Sequence, residues 1–132
     1  MKIVQFIIPR IEYILFAAIF WGIASTGPIL LNSDGDLPRH LLVGRLIRDT
    51  REVHLTDIFS FRTAGFPSIP HEWLSQVIFS AFYGLLGLGG VVFLTALIVT
   101  AAWAVIYYDA LRRSNSLIAA LVFTGLGVGA SL

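Results

Sequence analysis

The sequence predicts an all-α membrane protein with two to three transmembrane helices and a long, partly helical external loop. Composition is the first reason: 57% of the residues are hydrophobic and 13% charged, against a charged share of about a quarter in soluble domains. The second is that residues 13–31, 73–108 and 114–132 contain no Asp, Glu, Lys or Arg. The third is the polar segment 32–72, which holds five arginines and six acids. The formal net charge of +1 implies no nucleic-acid surface, and the absence of cysteine excludes disulfides, thiolate metal sites and a cysteine nucleophile.

Residues 13–31 have the length of a first span, since about 20 apolar residues cross a hydrocarbon core of about 30 Å. A secretory signal is the competing reading, but this run exceeds the apolar core of about 7–15 residues that such signals carry. The charge-free run 73–108 is too long for one crossing, and Gly84, Gly87, Gly89 and Gly90 break it. Before the break, Leu74, Val77, Ile78, Ala81 and Leu85 recur at helical spacing while Glu72, Ser75 and Gln76 gather elsewhere. Residues 73–86 therefore read as an amphipathic helix at the interface or against the bundle. Residues 90–109 form the second span, ending in the Tyr107-Tyr108 pair expected at a headgroup belt. Ser114-Asn115-Ser116 signals a turn. Residues 116–132 start a third span, whose Gly125, Gly127 and Gly129 suit close helix packing better than a phosphate loop.

Lys2, Arg10, Arg112 and Arg113 lie in short flanks, where the positive-inside bias acts most strongly. This puts the N-terminus in the cytoplasm and 32–72 outside the cytoplasmic (plasma) membrane. A connection of that length should be functional or have structure of its own. Within it, Asp34 or Asp36 can cap a helix from about Pro38 to Asp49, clustering Leu42, Val43, Leu46 and Ile47 with Arg45 and Arg48 roughly opposite. Residues 50–70 read as irregular chain, with a short extended piece at 58–61.

Asp34-Gly35-Asp36 is the leading candidate for chemistry. Paired carboxylates after a span can hold a divalent cation such as Mg or Mn, or serve as a base; a cap plus a turn explains the same residues. His40 falls one helical turn after Asp36, and His71-Glu72 can support the acids. Arg39, Arg45 and Arg48 are candidates for phosphate binding, although a solvated helix face is the plainer explanation.

These residues together resemble a family. The run from Asp34-Gly35-Asp36 through Leu37-Pro38-Arg39-His40 to Gly44-Arg45, then Thr56-Asp57-Ile58-Phe59-Ser60-Phe61, then His71-Glu72-Trp73-Leu74, is similar to the first external loop of bacterial multi-spanning GT-C-type glycosyltransferase-like proteins. Oligosaccharyltransferase catalytic subunits and protein mannosyltransferases are distant relatives in architecture. The resemblance covers about residues 32–90 and the flanking spans. It implies an integral membrane glycosyltransferase, of which this chain is an N-terminal portion, using a polyprenyl-phosphate-linked sugar donor from the bilayer. It further implies that Asp34 and Asp36 are the catalytic or metal-binding acids. The competing expectation is a non-catalytic scaffold or assembly subunit whose loop binds a partner.

Overall fold

The computed structural model describes residues 10–33 and 35–131. Among them are five helices: α1 (Ile11–Ser33), α2 (Leu37–Thr50), α3 (Trp73–Leu86), α4 (Leu88–Ser114) and α5 (Leu117–Ser131). No strand longer than an isolated bridge occurs among the described residues. The chain divides into two compact units, one of residues 1–27 and 95–132, the other of residues 28–94.

In the first unit, Ile19 and Ile23 of α1 are buried with Ala96 of α4, and Phe16, Val99, Trp103 and Val128 pack around them. Phe16 meets the edge of the buried Tyr107 ring, with centroids 5.5 Å apart. The turn at Ser114-Asn115-Ser116 forms as its composition predicts. Asn115 takes a left-handed φ of 48°, and the Ser116 hydroxyl accepts from the Ala119 N–H at 3.3 Å. Of the three spaced glycines in α5, Gly127 makes the close approach: a Cβ there would stand 2.6 Å from the Trp103 ring.

α1 and α4 are each long and apolar enough to cross a membrane; α3 and α5 are shorter apolar helices. α4 runs 27 residues, or about 40 Å at about 1.5 Å per residue, and so extends beyond the expected 90–109 at both ends. Pro28 falls inside α1. A proline there removes one ladder hydrogen bond, a loss that neighbouring helices or hydroxyl side chains can cover in a membrane.

The second unit is built on α2 and α3. Pro38 stands in the first turn of α2, where its missing N–H costs nothing, and Arg51 closes the helix in a left-handed conformation, its N–H donating to Ile47 O at 2.8 Å. α2 buries Leu37, Gly44 and Ile47. The packed stripe thus runs through Gly44, while Leu42, expected to belong to the apolar cluster, faces outward. α3 buries Gln76 and Ser80 and turns Leu74, Ile78, Leu85 and Leu86 outward. That is the reverse of a helix on a water-soluble core, and it suits a surface whose surroundings are apolar.

Gly87 separates α3 from α4 with φ +62° and ψ −150°, a combination that only glycine adopts readily. Past it, Gly90 lies against the Phe82 carbonyl, while Val91, Val92 and Leu94 are buried.

Residues 55–68 form a small hairpin, where sequence suggests irregular chain with an extended piece at 58–61. Ser68 N–H donates to Leu55 O at 2.8 Å, Asp57 N–H to Phe66 O at 2.9 Å, and Gly65 N–H to Asp57 O at 2.9 Å. Residues 58–61 lie in its turn rather than in a strand. The cause is Asp57: its Oδ1 accepts from the Phe59 and Ser60 N–H groups, both at 3.0 Å, and its Oδ2 accepts from the Thr63 hydroxyl at 2.7 Å. A carboxylate that satisfies successive N–H groups diverts the chain from an extended ladder into a turn.

Candidate functional site

The second unit gathers most of the polar side chains that carry chemistry. Asp36 stands at the N-cap of α2 with helical backbone angles and makes no capping hydrogen bond through its side chain; its carbonyl accepts from the His40 N–H at 3.0 Å. Asp36 therefore starts the helix without the side-chain cap that the sequence suggests, its carbonyl taking the first hydrogen bond of the helical ladder. Asp34 lies outside the described residues, as does Lys2.

His40 is the meeting point of α2 and α3. Its Nδ1 is 3.0 Å from Gln76 Nε2 and 3.5 Å from a Glu72 carboxylate oxygen. One nitrogen cannot serve both partners in the same protonation state. As an acceptor it takes the Gln76 amide proton; protonated, it donates to Glu72. Glu72 sits at the N-cap of α3 rather than in its first turn, where its carbonyl accepts from Gln76 N–H and the Ser75 hydroxyl. Two of the expected supporting residues, His40 and Glu72, thus come together across 32 positions of sequence. His71 is exposed beside them.

The three arginines have different surroundings. Arg45 pairs with Asp49 one turn on, at 3.7 Å, with both side chains exposed. Arg48 reaches α3, its Nη1 donating to the Ser80 carbonyl at 2.9 Å and lying 3.3 Å from the Ser80 hydroxyl. Arg39 lines a cleft of about 450 Å³ together with His54, Asp57, Ser68 and Gln76, against apolar walls that include Val43, Leu46 and Phe59.

Asp57 supplies a carboxylate to this cleft. Its carboxyl lies below the ordinary carboxylate range, held there first by the Thr63 hydroxyl, then by the Ser60 and Phe59 N–H groups and the charge of Arg39, with desolvation opposing them. Gln76 is 3% exposed, and its Oε1 has no hydrogen-bond partner among the described residues.

Among the described residues no three His, Cys, Asp or Glu side chains gather as a metal shell. The sequence does not single out this cleft: His54 and Asp57 form no familiar motif, and Gln76 stands as one polar residue beside Glu72 and Ser75. The available signal was Asp57 with Ser60 and Thr63, the spacing of a side-chain-stabilised turn.

Comparison with known proteins returned no matching family model, no matching curated protein and no matching solved structure.

Proposed function

We propose that the chain is the N-terminal portion of an integral membrane glycosyltransferase that takes its sugar from a polyprenyl-phosphate-linked donor on the outer face of the plasma membrane. The observation that carries this reading is the cleft beside α2, lined by Arg39, His54 and Gln76 among others, with Arg39 about one helical turn along the chain from Asp36. Connectivity adds support. α1 leads into the polar unit, and α4 leads out of it, so two crossings would leave that unit at one membrane face.

The chemistry follows from the charges. The acceptor hydroxyl attacks the anomeric carbon as the bond from that carbon to the lipid phosphate oxygen breaks. Asp36, with Asp34, takes the acceptor proton. Arg39 offsets the charge on the departing phosphate, a role its planar fork suits. His40 and Glu72 hold the α2–α3 pair that carries these groups. A divalent cation at Asp34 and Asp36 would belong to the same scheme by adding charge stabilisation, and stripping with a chelator tests it.

The experiment is transfer from a polyprenyl-linked sugar in membranes containing the complete protein. Asp36→Asn keeps the size and removes the charge, so transfer should fall by about 10²–10⁴-fold, the range for loss of a general base, at unchanged protein level. Full transfer by Asp36→Asn, Asp34→Asn and the double variant would instead favour a scaffold, a role the exposed apolar side chains of segment 55–69 also suit.

A further inference from the structure

Phe61 is 100% exposed, and Phe66 and Ile69 are each 64% exposed, on or beside one hairpin. A Phe left in water forgoes the free energy of burial, and several apolar side chains together mark a contact surface. These residues are held in place. The backbone bonds between 55–57 and 65–68 and the three hydrogen bonds to the Asp57 carboxylate fix the turn that presents them. A surface ordered in advance loses little entropy on insertion.

The charges indicate what covers it. From residue 58 to residue 71 the chain has no acid, and Arg62 stands beside Phe61. An apolar tip with a flanking cation is complementary to the anionic headgroup boundary of a bilayer, where Arg keeps its charge at the polar level while its neighbours go deeper. The unit carrying the hairpin also contains the last turns of α1 and the first turns of α4, the two helices long enough to span. We infer that hairpin 55–68 is a wedge that seats Phe61 and Phe66, with Ile69 behind them, in the headgroup–acyl boundary of anionic lipid, with Asp57 as the latch that holds it in shape. This rests on the membrane-spanning reading and not on the transferase chemistry.

The chain has no cysteine, so Phe61→Cys, Phe66→Cys and, as a reference, Glu52→Cys each accept a single nitroxide. The full chain is reconstituted in vesicles of phosphatidylcholine with phosphatidylglycerol, and collisions with oxygen and with a water-soluble nickel chelate are compared. Labels at 61 and 66 should favour oxygen, at a depth of about 5–10 Å, and the label at 52 should favour nickel. Omitting phosphatidylglycerol should make the labels at 61 and 66 shallower, and adding Asp57→Ala should return the label at 61 to water while the chain still floats with the vesicles. Labels at 61 and 66 as aqueous as at 52, in chain that floats, would overturn the wedge and leave the spans intact. Failure to float would overturn both. Shielding at 61 in native membranes but not in lipid vesicles would assign the surface to a protein partner and overturn the lipid proposal.

Discussion

Gly44 of α2 lies against the main-chain carbonyl of Gln76 on α3, and a Cβ at that position would also stand 2.9 Å from the Ser80 Cβ. The two helices of the polar unit meet backbone to backbone at this point. His40 lies one turn before it and Arg48 one turn after, so the same contact sets the positions of the polar groups on either side.

Gly44→Ala tests that contact. Replacing a helical glycine by alanine gains about 0.5–1 kcal/mol of backbone entropy, whereas overpacking costs about 1–3 kcal/mol. The neighbour that must yield is a helix main chain, so the cost should win. The melting temperature of the purified chain should fall, and an unchanged or higher value would mean that the helices do not meet here.

Arg48→Met should destabilise the α2–α3 pair by about 1.5–3 kcal/mol, the range for a hydrogen bond to a charged group, because the Ser80 carbonyl and hydroxyl lose their donor. Arg48→Lys should recover part of the loss. If instead Arg48→Met left unfolding unchanged and weakened binding of a phosphorylated lipid, Arg48 would be a phosphate ligand and not a clamp.

The buried amide of Gln76 gives an unusual ordering. In Gln76→Leu the unpaired Oε1 disappears, and the lost hydrogen bond to His40, worth about 1 kcal/mol, is offset by a comparable desolvation penalty. His40→Ala leaves the amide with no partner at either end and should cost about 1–3 kcal/mol. Unfolding measurements should therefore rank Gln76→Leu close to the parent and His40→Ala below it. The opposite ranking would show that the amide has a further partner.

Asp57 makes the hairpin pH-sensitive in one direction. Its folded carboxyl is depressed by Thr63, Ser60, Phe59 and Arg39. The stabilisation is therefore complete above the unfolded-state value, and it is lost as the pH falls through that value and then through the folded one. Amide exchange at Phe59 and Ser60 should be slow at neutral pH and lose its protection in acid below the ordinary carboxylate range. Asp57→Asn should abolish this pH dependence, and protection that persists in acid would contradict the latch.

The helices were legible because their signals are local. A charge-free run of the right length gave α1, the glycines that break the longer run 73–108 gave α4, Pro38 and the run to Asp49 gave α2, and the boundaries of α3 match the periodic stretch at 73–86. The face of α3 was not legible. Periodicity separates a polar side from an apolar side, but only the surroundings decide which side turns inward, and here Gln76 and Ser80 do. In the same way, a helical wheel gives Leu42 more weight than Gly44, although the glycine makes the contact because it has no side chain. The hairpin was missed because its determinant is one carboxylate bonding forward to Phe59, Ser60 and Thr63, a pattern without periodicity. Of the site, Asp36, His40 and Glu72 stood out as residue types, but the pairing of His40 with Glu72 and Gln76 depends on a helix crossing that no local rule encodes.

Crossing of a membrane by α1 and α4, with the polar unit at the outer face, can be read by labelling single cysteines, because the native chain contains none. Ser60, in the hairpin turn, and Ser114, at the end of α4, are each replaced by cysteine and exposed to an impermeant thiol reagent in intact cells. Position 60 should be labelled, and position 114 should be protected until the membrane is permeabilised. Labelling at 114 with protection at 60 would reverse the orientation, and equal labelling at both would contradict the crossing by α4.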